Sequence, residues 1–235
     1  MTREDRIKRE ADARLPMARR GVPLRDRSLR TVSKLVFHGI ADFPALDAAE
    51  IERSIDITVN ATAWSAGEIL PMQIPSPDEA KAPVLRWLEA QNFPPAVLQD
   101  GDGLFLAEGS WFHHDADDYP DSLFCVQWLD ETDPWDLLFP ESDLRIALRR
   151  GTIVLLDPSN VHGVVYRGAE IFDQHGMGEM GVQLFSSLSL EMTPAYRDLF
   201  GISVEPQPVD RVDTTWLSLP FLLCPETGRL RRVGM

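Results

Sequence analysis

The feature that most constrains the fold is a run of short apolar segments between Ala96 and Leu190, separated by glycine, proline, aspartate and asparagine. The segments have the length of β-strands. Their spacing favours an antiparallel sandwich or jelly roll over alternating strands and helices. The candidate strands are Gly103 to Ala107, Trp111 to Asp115, Ser122 to Leu129, Leu144 to Leu148, Thr152 to Leu156, Val161 to Tyr166 and Gly181 to Leu190.

The rest of the chain is interpreted as a basic arm and two helices. Residues 1–34 hold 11 of the 23 Lys and Arg residues and are predicted to be a partly helical arm. Residues 35–235 are predicted to be a single, mainly β domain, with one helix near 43–56 that shows apolar residues at roughly helical spacing. A second helix is predicted near 77–91, because Ser76-Pro77-Asp78-Glu79 is a capping-box sequence with proline at the first helical position.

Charge is distributed unevenly along the chain, whose formal net charge is -14 at pH 7. Fourteen Asp and Glu residues and no Lys or Arg lie between Trp87 and Asp143. Such an acidic body would repel a nucleic-acid backbone, so nucleic acid is excluded as a partner. The acidic block is interpreted either as a solvated surface or as a rim that attracts a cationic substrate.

Neither a membrane span nor a disulfide framework is predicted. The sequence has no run of about 18 apolar residues and no N-terminal apolar signal segment. The two cysteines, Cys125 and Cys224, stand singly, without the paired spacing of a zinc site. We therefore expect a cytoplasmic protein, since disulfides are rare in that reducing compartment.

The chemistry suggested by the sequence centres on WFHHDADDYP, residues 111–120. On a strand, successive side chains alternate between faces, so His113 and Asp115 point together while His114 points away. A second segment, LLDPSNVHGVV, offers His162 after a turn, at the head of an apolar strand. Two neutral imidazoles and one carboxylate on one face of an octahedron leave three positions open, which suits Fe(II) and O2. His113, Asp115 and His162 are therefore the predicted metal ligands and catalytic residues.

In the spacing of His113, Asp115 and His162, the chain resembles the iron(II)/2-oxoglutarate-dependent oxygenases. That family's signature is His-x-Asp followed by a distal His on a double-stranded β-helix, and here His113-His114-Asp115 is followed 49 positions later by His162. The phrase LFCVQWLDE followed by LLFPE is similar to the family's strand and loop after the first ligand pair. The phrase LRRGTIVLLDPSNVHGVV is similar to the family's approach to the distal histidine. The resemblance covers roughly Ala96 to Leu190.

The resemblance implies a cupin-like jelly roll that uses Fe(II), O2 and the co-substrate 2-oxoglutarate. It implies hydroxylation of an unactivated C–H bond in a small molecule or a peptidyl side chain. No membrane partner is expected, and the oligomeric state is left open.

The resemblance also implies a basic residue that anchors the distal carboxylate of 2-oxoglutarate, often on the strand after the distal histidine. In this chain that strand reads GVQLFSSLSL and contains no Lys or Arg. The predicted anchors are Arg167, Gln183 and Arg145, with Arg167 first because a charge-assisted bond is stronger than neutral hydrogen bonds. Its odd offset from His162 would turn Arg167 to the opposite face unless Gly163 admits a bulge.

Three alternatives stay open. If His114 rather than His113 faced the metal, Ala116 would stand in place of the carboxylate, as in the family's halogenating members. The three ligands also suit a zinc or manganese cupin-like site. The third alternative is a degenerate cupin-like jelly roll that binds a ligand or a partner protein without catalysis, because the arginine at the end of the strand is absent.

Overall fold

The structure of the chain is a computed structural model, and it describes residues 14–17, 28–41, 53, 55–58, 65–72, 78–93, 103–115, 119, 121–131, 134–170, 172, 181–206, 221–223 and 230–232. The helices are α1 (Asp78–Ala90) and α2 (Pro194–Phe200). The strands are β1 (Arg14–Met17), β2 (Ser28–Thr31), β3 (Val36–Ile40), β4 (Ile69–Pro71), β5 (Gly103–Ala107), β6 (Ser122–Trp128), β7 (Trp135–Phe139), β8 (Leu144–Ala147), β9 (Thr152–Leu156), β10 (Gly163–Tyr166), β11 (Gln183–Glu191), β12 (Val204–Pro206), β13 (Phe221–Leu223) and β14 (Leu230–Arg232).

Two antiparallel sheets form the body of the domain. The larger sheet has the order β3-β9-β6-β11-β5-β4, and the smaller sheet has the order β10-β7-β8. An isolated backbone bridge between His113 and His162 places the segment around His113 beside the start of β10. From β5 to β11 the chain passes repeatedly from one sheet to the other, which is the topology of a jelly roll. The prediction of a mainly β jelly roll with flanking helices is confirmed.

The two faces of the larger sheet have different partners, because successive side chains on a strand point to opposite sides. On β6, Phe124 and Trp128 belong to a cluster that also contains side chains of the smaller sheet. Cys125 of the same strand packs in a second cluster with Trp87 of α1 and Tyr196 of α2. The helices therefore cover the outer face, and the inner face is left to enclose a site between the sheets.

The N-terminal arm is extended at residues 14–17 and 28–31, and residues 1–13 and 18–27, to which the prediction of a partly helical arm also applies, lie outside the described residues. β1 pairs with β2, and β2 pairs with β12 on its other side. Pro16 lies within β1, and a proline disfavours the interior of a helix because it lacks the backbone N–H. β2 thus belongs to a small third sheet that joins the arm to residues near the C-terminal end of the domain.

The two helices predicted from the sequence are described to different extents by the structure. α1 lies within the range 77–91. Of the helix predicted near 43–56, residues 42–52 and 54 lie outside the described part of the chain, and 55–58 are helical. Among the described helices, none has the length and the apolar character needed to span a bilayer.

Candidate metal centre

The side chains of His113, Asp115 and His162 converge in the structure. The two histidines hydrogen-bond through their backbones, His113 N to His162 O at 2.9 Å and His162 N to His113 O at 3.0 Å. The Asp115 N–H donates to Pro158 O at 2.8 Å, in the turn that precedes His162. These backbone hydrogen bonds, which do not involve an ion, hold the two ligand segments together.

The distances between the ligand atoms suit one cation. His113 Nε2 lies 3.7 Å from Asp115 Oδ1, and His162 Nε2 lies 3.6 Å from Asp115 Oδ2. One potential ligand atom from each of the three residues lies within 4.8 Å of the other two. Two atoms that each lie about 2.1 Å from a common ion are at most about 4.2 Å apart, so both measured separations fall inside that limit.

Both imidazoles present the correct nitrogen. His113 Nδ1 donates to Trp111 O at 2.6 Å, and His162 Nδ1 donates to Asn160 O at 2.8 Å. Because a carbonyl oxygen only accepts, each ring carries a proton on Nδ1, which makes Nε2 the nitrogen that can bind a metal. His113 Nε2 is buried without a hydrogen-bond partner among the described residues. A cation between the three side chains would satisfy that atom.

The environment of His162 keeps its ring neutral. Burial, followed by the proximity of His113, lowers the pKa of His162 to about 4, although Asp115 acts in the opposite direction. The unprotonated form therefore predominates at neutral pH. Metal binding requires that form, because a protonated imidazole has no lone pair to offer.

Gly163 allows the two ligand segments to approach each other closely. A Cβ atom built on Gly163 would lie 3.0 Å from a ring carbon of Phe112 and 3.2 Å from Ser110 O. The register of β10 with β7 runs from Gly163 opposite Leu138 to Tyr166 opposite Trp135 without a bulge. Glycine at this position is explained by the close approach of the neighbouring segment.

A cavity of about 400 Å³ adjoins the three ligands, and its lining includes them. Its walls are mainly apolar and aromatic. The rings of Phe105 and Phe185 are stacked with their centroids 5.5 Å apart, and the ring centroids of Trp128 and Phe185 are 6.0 Å apart. Apart from the ligands, the polar residues of the described lining are Ser110, Tyr119 and Ser187. None of the described lining residues is a Lys or an Arg, so the cavity offers no cationic group there to a bound carboxylate.

The structure does not bring Arg145 or Arg167 to the cavity. Arg145 Nη1 lies 2.9 Å from one carboxylate oxygen of Asp136, and Arg167 Nε lies 3.1 Å from the other. Asp136 is buried, and its charge is compensated by these two guanidinium groups. Without a bulge at Gly163, the odd offset from His162 turns Arg167 away from the cavity.

Gln183 is not among the described lining residues either, but it lies on a strand that contributes to the lining. It shares one face of β11 with Phe185 and Ser187, which line the cavity. Its Oε1 accepts from the Nε1 of Trp128 at 3.3 Å, and its buried Nε2 lacks a hydrogen-bond partner among the described residues. Gln183 therefore has one side-chain donor to spare, next to an indole that forms part of the cavity wall.

Sequence reasoning did not identify most of the cavity lining as such. Tyr119, Phe124 and Phe105 line the cavity, but they lie on different segments. A signal was present in β6, where every second residue from Phe124 to Trp128 faces inward. The choice of the inward face becomes clear only once the position of His113 is known.

No protein-family model and no curated protein matches the chain. Solved structures to which the chain is similar include the viral collagen prolyl hydroxylase of Paramecium Bursaria Chlorella virus-1 in its 2OG complex. That similarity has a TM-score of 0.42 and 10% identity, and it covers 68% of this chain and 97% of that chain.

Two further solved structures are similar at the same level. An oxidoreductase of the 2OG-Fe(II) oxygenase family from Burkholderia pseudomallei has a TM-score of 0.39 and 14% identity, covering 67% of this chain and 85% of that chain. SnoN, a non-heme alpha ketoglutarate dependent epimerase from nogalamycin biosynthesis, has a TM-score of 0.38 and 14% identity, covering 83% of this chain and 89% of that chain.

Proposed function

We propose that the chain is a non-haem Fe(II) oxygenase that uses 2-oxoglutarate and O2, with His113, Asp115 and His162 holding the iron. The observation that carries this proposal is that potential ligand atoms of two imidazoles and one carboxylate lie within 4.8 Å of one another beside an apolar cavity. Such a ligand set occupies one face of the metal and leaves the other positions for an organic molecule and O2. When bound, Fe(II) would supply the activation of O2 that organic side chains do not provide.

The remaining residues would bind, orient and exclude water. The stacked rings of Phe105 and Phe185, with Trp128 beside them, give a water-poor wall against which an organic substrate packs. Oxygen atoms balance if one atom of O2 enters succinate, formed as 2-oxoglutarate loses CO2, and the other enters a C–H bond of the substrate. We propose a small molecule or a peptidyl side chain as that substrate, and the acidic block favours a cationic one.

A spectroscopic titration tests the proposal. Protein incubated anaerobically with Fe(II) is expected to develop a weak visible charge-transfer band when 2-oxoglutarate is added, as the family resemblance implies. Admission of air is expected to yield succinate even without the substrate. If Fe(II) binds but neither signal appears, the chain is instead a metal-containing jelly roll without this activity, and binding of zinc in preference to iron would point the same way.

The absence of Lys and Arg from the described lining favours a second candidate function, a jelly roll that binds a ligand without catalysis. The two candidate functions differ in whether a residue anchors the distal carboxylate of 2-oxoglutarate.

We propose Gln183 as the anchor of the distal carboxylate of 2-oxoglutarate. Its Nε2 would donate to that carboxylate, and its contact with Trp128 would fix the orientation of the amide. A hydrogen bond to a charged group contributes about 1.5–3 kcal/mol, which is enough for a usable neutral anchor.

Replacing Gln183 by leucine is therefore expected to weaken the binding of 2-oxoglutarate to the metal-loaded protein by at least about tenfold. The measurement is an anaerobic titration of the charge-transfer band. Gln127→Leu is the matched control, since Gln127 is also a fully buried glutamine but lies on the opposite face of β6 from Val126 and Trp128. Equal affinities in the wild type and the Gln183 variant would reject Gln183 as the anchor.

A further inference from the structure

The turn that precedes His162, residues 157–160, is stabilised by the buried carboxylate of Asp157. Its side chain is completely buried. Asp157 Oδ2 accepts from Ser33 N at 2.8 Å, and Oδ1 accepts from Ser159 N at 2.9 Å. Arg30 Nη2 lies 2.6 Å from the same Oδ1. Both carboxylate oxygens are thus engaged, partly within the turn and partly by a segment far away in the sequence.

Two of the three ligands depend on this turn for their position. Asn160 N donates to Asp157 O at 2.9 Å, and Asn160 O accepts the hydrogen bond from His162 Nδ1. Pro158 O accepts from Asp115 N at 2.8 Å. A shift of the turn would therefore move the imidazole of His162 and the backbone of Asp115 together.

The partner of Asp157 comes from outside the two main sheets. Arg30 is 1% exposed and lies on β2, which pairs with β1 and β12. A buried ion pair gives little net stability, because the desolvation of both charges offsets their attraction. The Arg30 guanidinium nevertheless adds a charged contact to Oδ1 from outside the turn, which ties the turn to strand β2. The pair is better explained by geometry than by stability.

We propose that Arg30 and Asp157 are positioning residues of the metal centre, so that strand β2 sets metal affinity although it contributes no ligand. The inference rests on the proposed function, since it requires that His113, Asp115 and His162 bind a cation. It assigns a role to the N-terminal arm that no ligand motif predicts. The arm contacts the turn 157–160 through Arg30 and through Ser33 N, which donates to Asp157 Oδ2.

The test compares the ion pairs of two buried aspartates, Asp157 and Asp136, in the full-length protein. Arg30→Met and Asp157→Asn disturb the pair beside the ligands, and Asp136→Asn disturbs the contacts of a buried carboxylate on β7 with the partly exposed Arg145 and Arg167. Affinity for Co(II) is measured by competition with a chromophoric chelator, and the visible spectrum of the Co(II) protein reports the ligand geometry. The folded fraction of each variant is measured under the same conditions.

The first two variants are expected to bind Co(II) about tenfold more weakly than the wild type and to show a shifted spectrum. About tenfold is the lower end of the loss that follows removal of a group bonded directly to a ligand, and Asp157 acts on His162 through Asn160. Asp136→Asn is expected to keep both the affinity and the spectrum. Arg30→Lys should give an intermediate affinity, because lysine keeps the charge but places it differently. If Asp157→Asn does not fold, the two Arg30 variants carry the comparison.

Each other outcome points to a different failure. A wild-type protein that does not bind Co(II), Fe(II) or Zn(II) would overturn the proposed function, and the positioning role with it. Tight binding by the wild type with unchanged affinity in the Arg30 and Asp157 variants would overturn the positioning role alone. Equal losses in these variants and in Asp136→Asn would also overturn it, because a general loss of stability would then explain the result.

Discussion

Replacing His162 by alanine is expected to weaken metal binding by more than about 100-fold, beyond the range seen when only an outer-shell partner is lost. The reason is that His162 supplies one of the two imidazoles, and its Nε2 lies 3.6 Å from the carboxylate that would share the ion. Asp115→Ala is expected to have a similar effect. The measurement is metal content after gel filtration in the presence of a weak chelator, with circular dichroism to show that each variant is folded.

His114→Ala is the control for this prediction. His114 stands between two predicted ligands but is not one of the three residues whose ligand atoms lie close together. Its removal is expected to leave metal content within about twofold of the wild type. A loss at His114 equal to that at His162 would favour the alternative register, in which Ala116 replaces the carboxylate. Ala116 itself lies outside the described residues.

The free energy of unfolding is expected to depend on the charge of Asp130 between about pH 4 and pH 6. Burial raises the pKa of Asp130 from 3.8 to about 6, and the charge of Glu131 adds to this, although a hydrogen bond from Leu184 N acts in the opposite direction. The folded protein therefore holds this proton more tightly than the unfolded chain does. The stabilising contribution is complete below about pH 3.8 and is lost as the pH rises through about 6.

Asp130→Asn is expected to remove this dependence, because the amide stays neutral and its oxygen still accepts from Leu184 N. The variant should match the wild type near pH 4 and be more stable by about 2 kcal/mol at pH 7.5, where the wild type contains a poorly solvated carboxylate. Urea denaturation of both proteins across this range gives the difference. Glu131→Gln at the neighbouring exposed position should show little change, and a constant difference between Asp130→Asn and the wild type would refute the assignment.

The sequence predicts those strands whose apolar character is continuous, such as β9, where every residue is buried. It misses β7, because Asp136 stands inside that strand and aspartate is depleted in strands. The burial of Asp136 depends on guanidinium groups from β8 and from the end of β10, and a single sequence does not reveal such long-range pairs. The segment around His113, predicted as a full strand, forms an isolated bridge instead.

The candidate site was predictable to the extent that it depends on local spacing. The two-residue offset between His113 and Asp115 follows from the alternation of side chains, and the structure brings both to His162. The anchors were not predictable in this way. Charge favours Arg167 as the anchor, but in the structure Arg167 contacts Asp136 instead. The contact between Gln183 and Trp128 joins strands β11 and β6, which become neighbours only in the folded sheet.

The reciprocal backbone hydrogen bonds between His113 and His162 have a consequence for the removal and rebinding of a metal ion. Because these bonds are formed by backbone atoms and not by the ligand atoms, we expect the two segments to stay aligned when a chelator removes the ion. The ion then adds stability only in proportion to the logarithm of its free concentration over its dissociation constant. Protein from which a chelator has removed the ion is therefore expected to bind the ion again without first unfolding and refolding.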